Sequence, residues 1–203
     1  MIRVLLADDQ ALVRGALAAL LDLEGDLQVV AQVGRGDEVV DAARAAAADV
    51  ALLDVEMPGL DGISAAAALR RELPTCRSLV VTTFGRPGYL RRALDAGASG
   101  FVVKDTPAEE LADAVRRVHA GLRVVDPSLA VESLTVGASP LTEREADVLR
   151  AAAGGGTVAD IARQTYLSEG TVRNYLSSAM GKTGGRTRAE ASRIAQENGW
   201  LLP

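Results

Sequence analysis

Acidic side chains stand at the ends of two short apolar runs in this chain. Asp8 and Asp9 close IRVLLA, and Asp54 closes VALLD. A brief apolar run bounded by polar or turn residues reads as a buried strand. In a parallel sheet, loops at the carboxyl ends of the strands form the crevice where reactive groups collect. If these two runs lie side by side, three carboxylates converge there. Their mutual repulsion asks for a hard divalent cation, and Mg2+ with retained waters fits an all-oxygen site. A carboxylate beside such an ion can attack a phosphoryl group and become an acyl phosphate. Asp54 is the candidate nucleophile, with Asp8 and Asp9 as candidate ion ligands. Two further strand ends extend the set: Thr82 offers a hydroxyl to a phosphoryl oxygen, and Lys104 a point charge.

The elements that must position these groups follow from periodicity. Strands are expected at 2–7, 27–33, 50–54, 78–83 and 100–104, and helices at 11–23, 37–48, 63–73, 87–96 and 107–120. Pro58-Gly59 and Asp61-Gly62 force a turn directly after Asp54. Pro107 opens the last of these helices and Gly121 lies just beyond it. Strands alternating with helices predict a doubly wound α/β fold, a five-stranded parallel sheet covered on both faces. The strands are continuous apolar runs, as burial on both faces requires. Residues 122–138 are expected to be a linker, with a short, partly packed helix among Leu129, Val131, Leu134 and Val136. From 139 to 203 the pattern is all-helical, over 142–153, 157–165, 169–181 and 188–199. Thr157 with Asp160 forms a capping-box pattern, and Ser168 can cap the next helix, each worth ~1 kcal/mol. Two short helices joined by Tyr166-Leu167-Ser168 make a helix-turn-helix.

Composition bounds the function classes. The 203 residues suit two small domains or one large one. A lone cysteine, Cys76, cannot form an internal disulfide, which favours a reducing cytoplasm. The N-terminus reaches acids too early for a signal peptide, and no apolar run approaches the roughly 20 residues of a membrane span. The net charge of −5 resides in residues 1–121, whereas 139–203 carry +1. Bulk charge therefore does not announce nucleic-acid binding, and any such role must rest on local placement. His119, at the end of its helix, reads as a surface group near a negative helix terminus.

Taken together, ADD, LLDVEMPGLDG, VVTTF and GFVVKD resemble the receiver domain of bacterial two-component response regulators, over all of residues 1–121. The resemblance implies that Asp54 accepts phosphate from a sensor histidine kinase. It implies Mg2+ held by Asp9, Asp54 and the Glu56 backbone carbonyl, with Asp8 assisting through water. Thr82 and Lys104 would read the phosphoryl group, and Phe101 stands at the family's aromatic switch position. Asp105 follows Lys104 where many receivers have proline.

The segments TERE, DIA and SEGTVRNYLSSAMGKTG resemble the LuxR-type helix-turn-helix, so the whole chain is similar to NarL/FixJ-type regulators. RPGYL and the 169–181 helix look closest to a DesR-like subgroup. Helical spacing turns Val172, Leu176 and Met180 inward and leaves Arg173, Asn174, Ser177 and Ser178 outward, able to enter a major groove. Arg173 suits guanine or phosphate, and Asn174 suits adenine. Thr171, Tyr175 and Lys182 are candidate backbone contacts. The implied partners are promoter double-stranded DNA, a histidine kinase and a second copy of the chain on phosphorylation, with no membrane role and no enzyme activity. Two other readings stay open: a receiver that works without phosphorylation, and a phosphohydrolase with Asp54 as nucleophile and Glu56 as acid–base.

Overall fold

In the computed structural model, residues 1–83, 87–126, 129–130 and 139–201 are described. The chain divides into two compact units, one containing a sheet and the other the last four helices. The sheet has strands β1 (Ile2–Ala7), β2 (Leu27–Val33), β3 (Val50–Asp54), β4 (Arg77–Thr82), β5 (Gly100–Val103) and β6 (Val124–Val125). All pair in parallel in the order β2-β1-β3-β4-β5-β6. Helices α1 (Ala11–Asp22), α2 (Val39–Ala45), α3 (Gly62–Glu72), α4 (Pro87–Ala96) and α5 (Ala108–His119) connect them. Val4, Leu6, Val50, Leu52, Leu79, Val81 and Val102 form one core with Leu21 of α1 and Leu111, Val115 and Val118 of α5. Residues between these along each strand, such as Leu5, Leu53, Val80 and Phe101, point to the opposite face and are equally buried.

Two departures from the periodicity have identifiable causes. The sheet gains a sixth strand inside the expected linker, because the Val124 and Asp126 N–H groups donate to Ser99 and Phe101 carbonyls. Two valines are too few to show a pattern. The helix expected over 37–48 is a 3-10 turn at Gly36–Glu38 followed by an α-helix that ends at Ala45. The alanines beyond favour helix, but the Arg3 guanidinium donates to the Ala46 and Ala47 carbonyls, and Ala47 takes a left-handed conformation. Arg77 likewise donates to the Val118 and His119 carbonyls at the end of α5. The short helix expected within 129–136 falls mainly outside the described residues, although Leu129 and Ala130 are helical.

The second unit comprises α6 (Glu143–Ala153), α7 (Val158–Thr165), α8 (Glu169–Thr183) and α9 (Arg188–Glu197). Val148, Leu149, Ile161, Val172, Leu176, Ala179, Ala191 and Ala195 form its core. Every one of these helices has a capped N-terminus: Thr142, Thr157, Ser168 and Thr187 each accept a backbone N–H three residues on. Thr142/Glu145 and Thr157/Asp160 are reciprocal capping boxes. The turn from α7 to α8 runs through Tyr166 at φ 55°, a left-handed conformation unusual for a residue with a side chain.

Candidate functional site

Strand register gathers the acids. Ala7 pairs with Leu53, so the next residues, Asp8 and Asp54, leave neighbouring strands side by side. This is the point where the strand order reverses, with β2 on one side of β1 and β3 on the other. Oxygens of Asp8, Asp9 and Asp54 all lie within 4.8 Å of one another. Asp8 and Asp54 are buried, whereas Asp9 is exposed. Lys104 leaves β5 and places its ammonium 2.7 Å from Asp8 and 2.8 Å from Asp54. Its backbone N–H donates to the Thr82 carbonyl, which ties the ends of β4 and β5 together. Thr82 is buried beside it.

Burial pushes the Asp54 carboxyl up, against the pull of the Lys104 hydrogen bond. Burial opposes the Lys104 ammonium too, but hydrogen bonds to Asp54 and Asp8 outweigh it and raise that group. Three acids against one ammonium leave excess negative charge in a confined crevice. An oxygen-seeking dication fits that donor set. The turn after Asp54 is held close: the Gly62 N–H donates to the Val55 carbonyl, and Asp61 caps α3 through the Ser64 N–H. A Cβ at Gly62 would lie 1.9 Å from the Asp54 carbonyl oxygen, so only glycine permits this approach.

Phe101, expected at the switch position, lies on β5 and is fully buried. The Glu56 side chain is exposed in the turn after β3. Arg14, which the sequence reading did not select, donates from α1 to the Asp8 carbonyl. Cys76 is buried and its thiol is pushed up to about 12, first by burial and then by Asp49, which suits an inert thiol. His119 is exposed on the last turn of α5.

In the helical unit, Arg173, Asn174, Ser177 and Ser178 are exposed on α8, as their spacing predicts. Arg173 pairs with Glu169 one turn back, an exposed contact that DNA can displace at little cost. The Thr171 hydroxyl hydrogen-bonds the Ser168 cap, and Tyr175 packs partly against the core. Ser178 and Lys182 are engaged within the domain: each donates to the buried Glu145 carboxylate at 2.6 Å. The TxxE pattern at 142–145 signals a cap but says nothing of these partners from α8.

Comparison with known proteins bears on the phosphohydrolase reading. Residues 4–116 match the response regulator receiver domain family, and residues 139–195 match the bacterial regulatory proteins of the luxR family. The chain belongs to the response regulators. Over 99% of its length it is 43% identical to the uncharacterized transcriptional regulatory protein YvfU of Bacillus subtilis, covering all of that protein. It is 42% identical, with the same coverage, to the transcriptional regulatory protein DesR of Bacillus subtilis. Among solved structures, the response regulator ChrA of a heme-sensing two-component system shares 30% identity and a TM-score of 0.59, with 98% of each chain covered. A structure of RcsB dimers bound to two parallel DNAs shares 25% identity and a TM-score of 0.65, over 97% of this chain and 98% of that one.

This response regulator thus joins a receiver to a LuxR-type DNA-binding domain and is a transcriptional regulator, not an enzyme. The phosphohydrolase reading falls with that assignment. Among the described residues no helix is long and apolar enough to cross a membrane.

Proposed function

We propose that Asp54 accepts a phosphoryl group from a sensor histidine kinase and that this modification controls binding of promoter DNA by a homodimer. The observation that carries the reading is the Lys104 ammonium seated between Asp8 and Asp54 at 2.7 and 2.8 Å. An Asp54 oxygen attacks phosphorus, the new O–P bond forms, and the N–P bond of the donor phosphohistidine breaks. Lys104 then turns from the carboxylates toward a phosphoryl oxygen, and the Thr82 hydroxyl hydrogen-bonds another. Asp9, Asp54 and the Glu56 carbonyl would hold Mg2+, with Asp8 acting through water. Bound there, the ion supplies screening of phosphoryl charge during transfer. Thr82 and Lys104 carry the response, and Phe101 follows them.

Residues 1–121 form the receiver in this reading, 122–138 the linker and 139–203 the DNA-binding domain, with β6 extending the receiver to its edge strand. Arg173, Asn174 and Ser177 face base edges, while Thr171 and Tyr175 approach the backbone. The DNA-bound RcsB dimers support a dimeric complex with duplex DNA. The place of action is the cytoplasm, where the DNA lies.

Acetyl phosphate with Mg2+ tests the first step by mass spectrometry, with label expected on Asp54 and absent from Asp54→Ala. Duplex affinity is then compared with and without beryllofluoride, a phosphoryl mimic. Tighter binding by the parent alone is expected. Equal affinities for the parent and Asp54→Ala with the mimic would reject control through this site.

A further inference from the structure

Glu145 lies outside the acidic crevice, outside the recognition helix, and is 4% exposed. It sits in the first turn of α6, where its capping role needs only one carboxylate oxygen to accept from the Thr142 N–H, at 2.7 Å. Both oxygens are in use. Oε2 also accepts from the Lys182 ammonium at 2.6 Å, and Oε1 accepts the Ser178 hydroxyl at 2.6 Å. Those donors stand 33 and 37 residues further along, on α8. The carboxyl is held at about 2: burial opposes this, and the bonds from Lys182, Ser178 and Thr142 outweigh it.

We infer that Glu145 is the positioning residue of the DNA interface, setting the rotation and depth of α8 through Ser178 and Lys182 and so deciding which base edges Arg173, Asn174 and Ser177 can reach. The inference rests on the DNA-binding reading and deepens it. Val172, Leu176 and Ala179 hold α8 by apolar packing, which has no preferred direction. Charge-assisted hydrogen bonds are directional and short, so they fix the helix about its own axis. Base readout by paired hydrogen bonds tolerates displacements of only about 0.5 Å. A point charge on a phosphate is far less demanding. Release of Glu145 therefore removes sequence discrimination before it removes general affinity for DNA. Lys182, with 35% of its side chain exposed, serves this brace rather than a phosphate.

The full-length chain is used to select a duplex from a random-sequence pool. Parent, Glu145→Gln and Lys182→Met are then titrated on that duplex and on a scrambled one at several salt concentrations. Trp200 packs against the helical core, and its fluorescence reports whether that unit stays folded. Both variants are expected to lose about tenfold or more on the selected duplex. On the scrambled duplex they keep affinity within about twofold and the same dependence of log K on log salt. Equal loss on both duplexes, tracking the unfolded fraction, identifies a plain structural brace and overturns the inference. A salt slope smaller by about one for Lys182→Met assigns its ammonium to a phosphate and also overturns it. Should Glu145→Gln unfold, Ser178→Ala removes one bond and leaves the capping box intact. Loss of discrimination is again expected, and unchanged discrimination overturns the inference. A parent that enriches no duplex faults the DNA-binding reading itself.

Discussion

Lys104 and Glu145 occupy opposite versions of one electrostatic problem. Lys104 is a nearly buried cation facing two buried carboxylates, and Glu145 is a buried carboxylate facing one half-exposed cation. Removing one partner from a buried set costs more than the set contributes, because the remaining charges stay desolvated. Lys104→Met is expected to destabilise the receiver by about 3–5 kcal/mol. It should also enlarge the stabilisation by Mg2+, since the ion becomes the crevice's main counter-charge. Thermal unfolding with Mg2+ against EDTA measures both, and an Mg2+ shift no larger than the parent's refutes the second part. For Glu145 the folded-state value of about 2 lies below its ordinary 4.5. Its contribution is therefore complete above about pH 4.5 and is lost as pH falls toward 2. Urea titrations followed through Trp200 should show this acid loss in the parent and a flatter profile in Glu145→Gln. Identical profiles would remove Glu145 as its source.

At the scale of elements, the loop after β3 shows how close backbone packing can hold the proposed phosphoacceptor. Gly62 opens α3 directly behind Asp54, and no side chain fits between them. Gly62→Ala is expected to cost about 1–3 kcal/mol by overpacking and to slow acetyl phosphate labelling of Asp54, although no reactive atom changes. Labelling at the parent's rate would mean that the loop's approach is irrelevant to the chemistry. Most elements were readable from local pattern: β2, β3 and α4 run over the expected residues, and the caps at Thr157 and Ser168 are formed. Where the reading failed, a distant partner had intervened. Arg3 ends α2 early from 43 residues away, and Ser99 and Phe101 recruit β6 from the linker.

For the whole molecule, the charge imbalance and the proposed switch have measurable consequences. A chain of net charge −5 gains little from long-range attraction to DNA, so affinity must come from local contacts and, in the proposed complex, from pairing of two copies. If phosphorylation favours DNA binding, DNA must favour the phosphorylated form by the same factor, about 5–150-fold for a typical coupling. Selected duplex should therefore raise affinity for beryllofluoride by the factor with which beryllofluoride raises affinity for duplex. Unequal factors would mean that the two sites do not share one equilibrium.

The residues alone were enough to specify most of the elements and what those elements carry at their ends. Apolar runs, helical spacing and caps are decided by a chain's nearest few neighbours, so Asp8, Asp9, Asp54, Thr82 and Lys104 could be assigned to strand termini from order along the chain. Which termini become neighbours is a matter of lateral strand order, which depends on how helices cover both faces at once. That packing sets Asp8 beside Asp54 and brings Lys104 between them from 50 residues away. It also closes Phe101 into the core and turns Ser178 and Lys182 onto Glu145. A side chain's partner across the fold has no signature in its local sequence, because the free energy that joins them belongs to the assembled core.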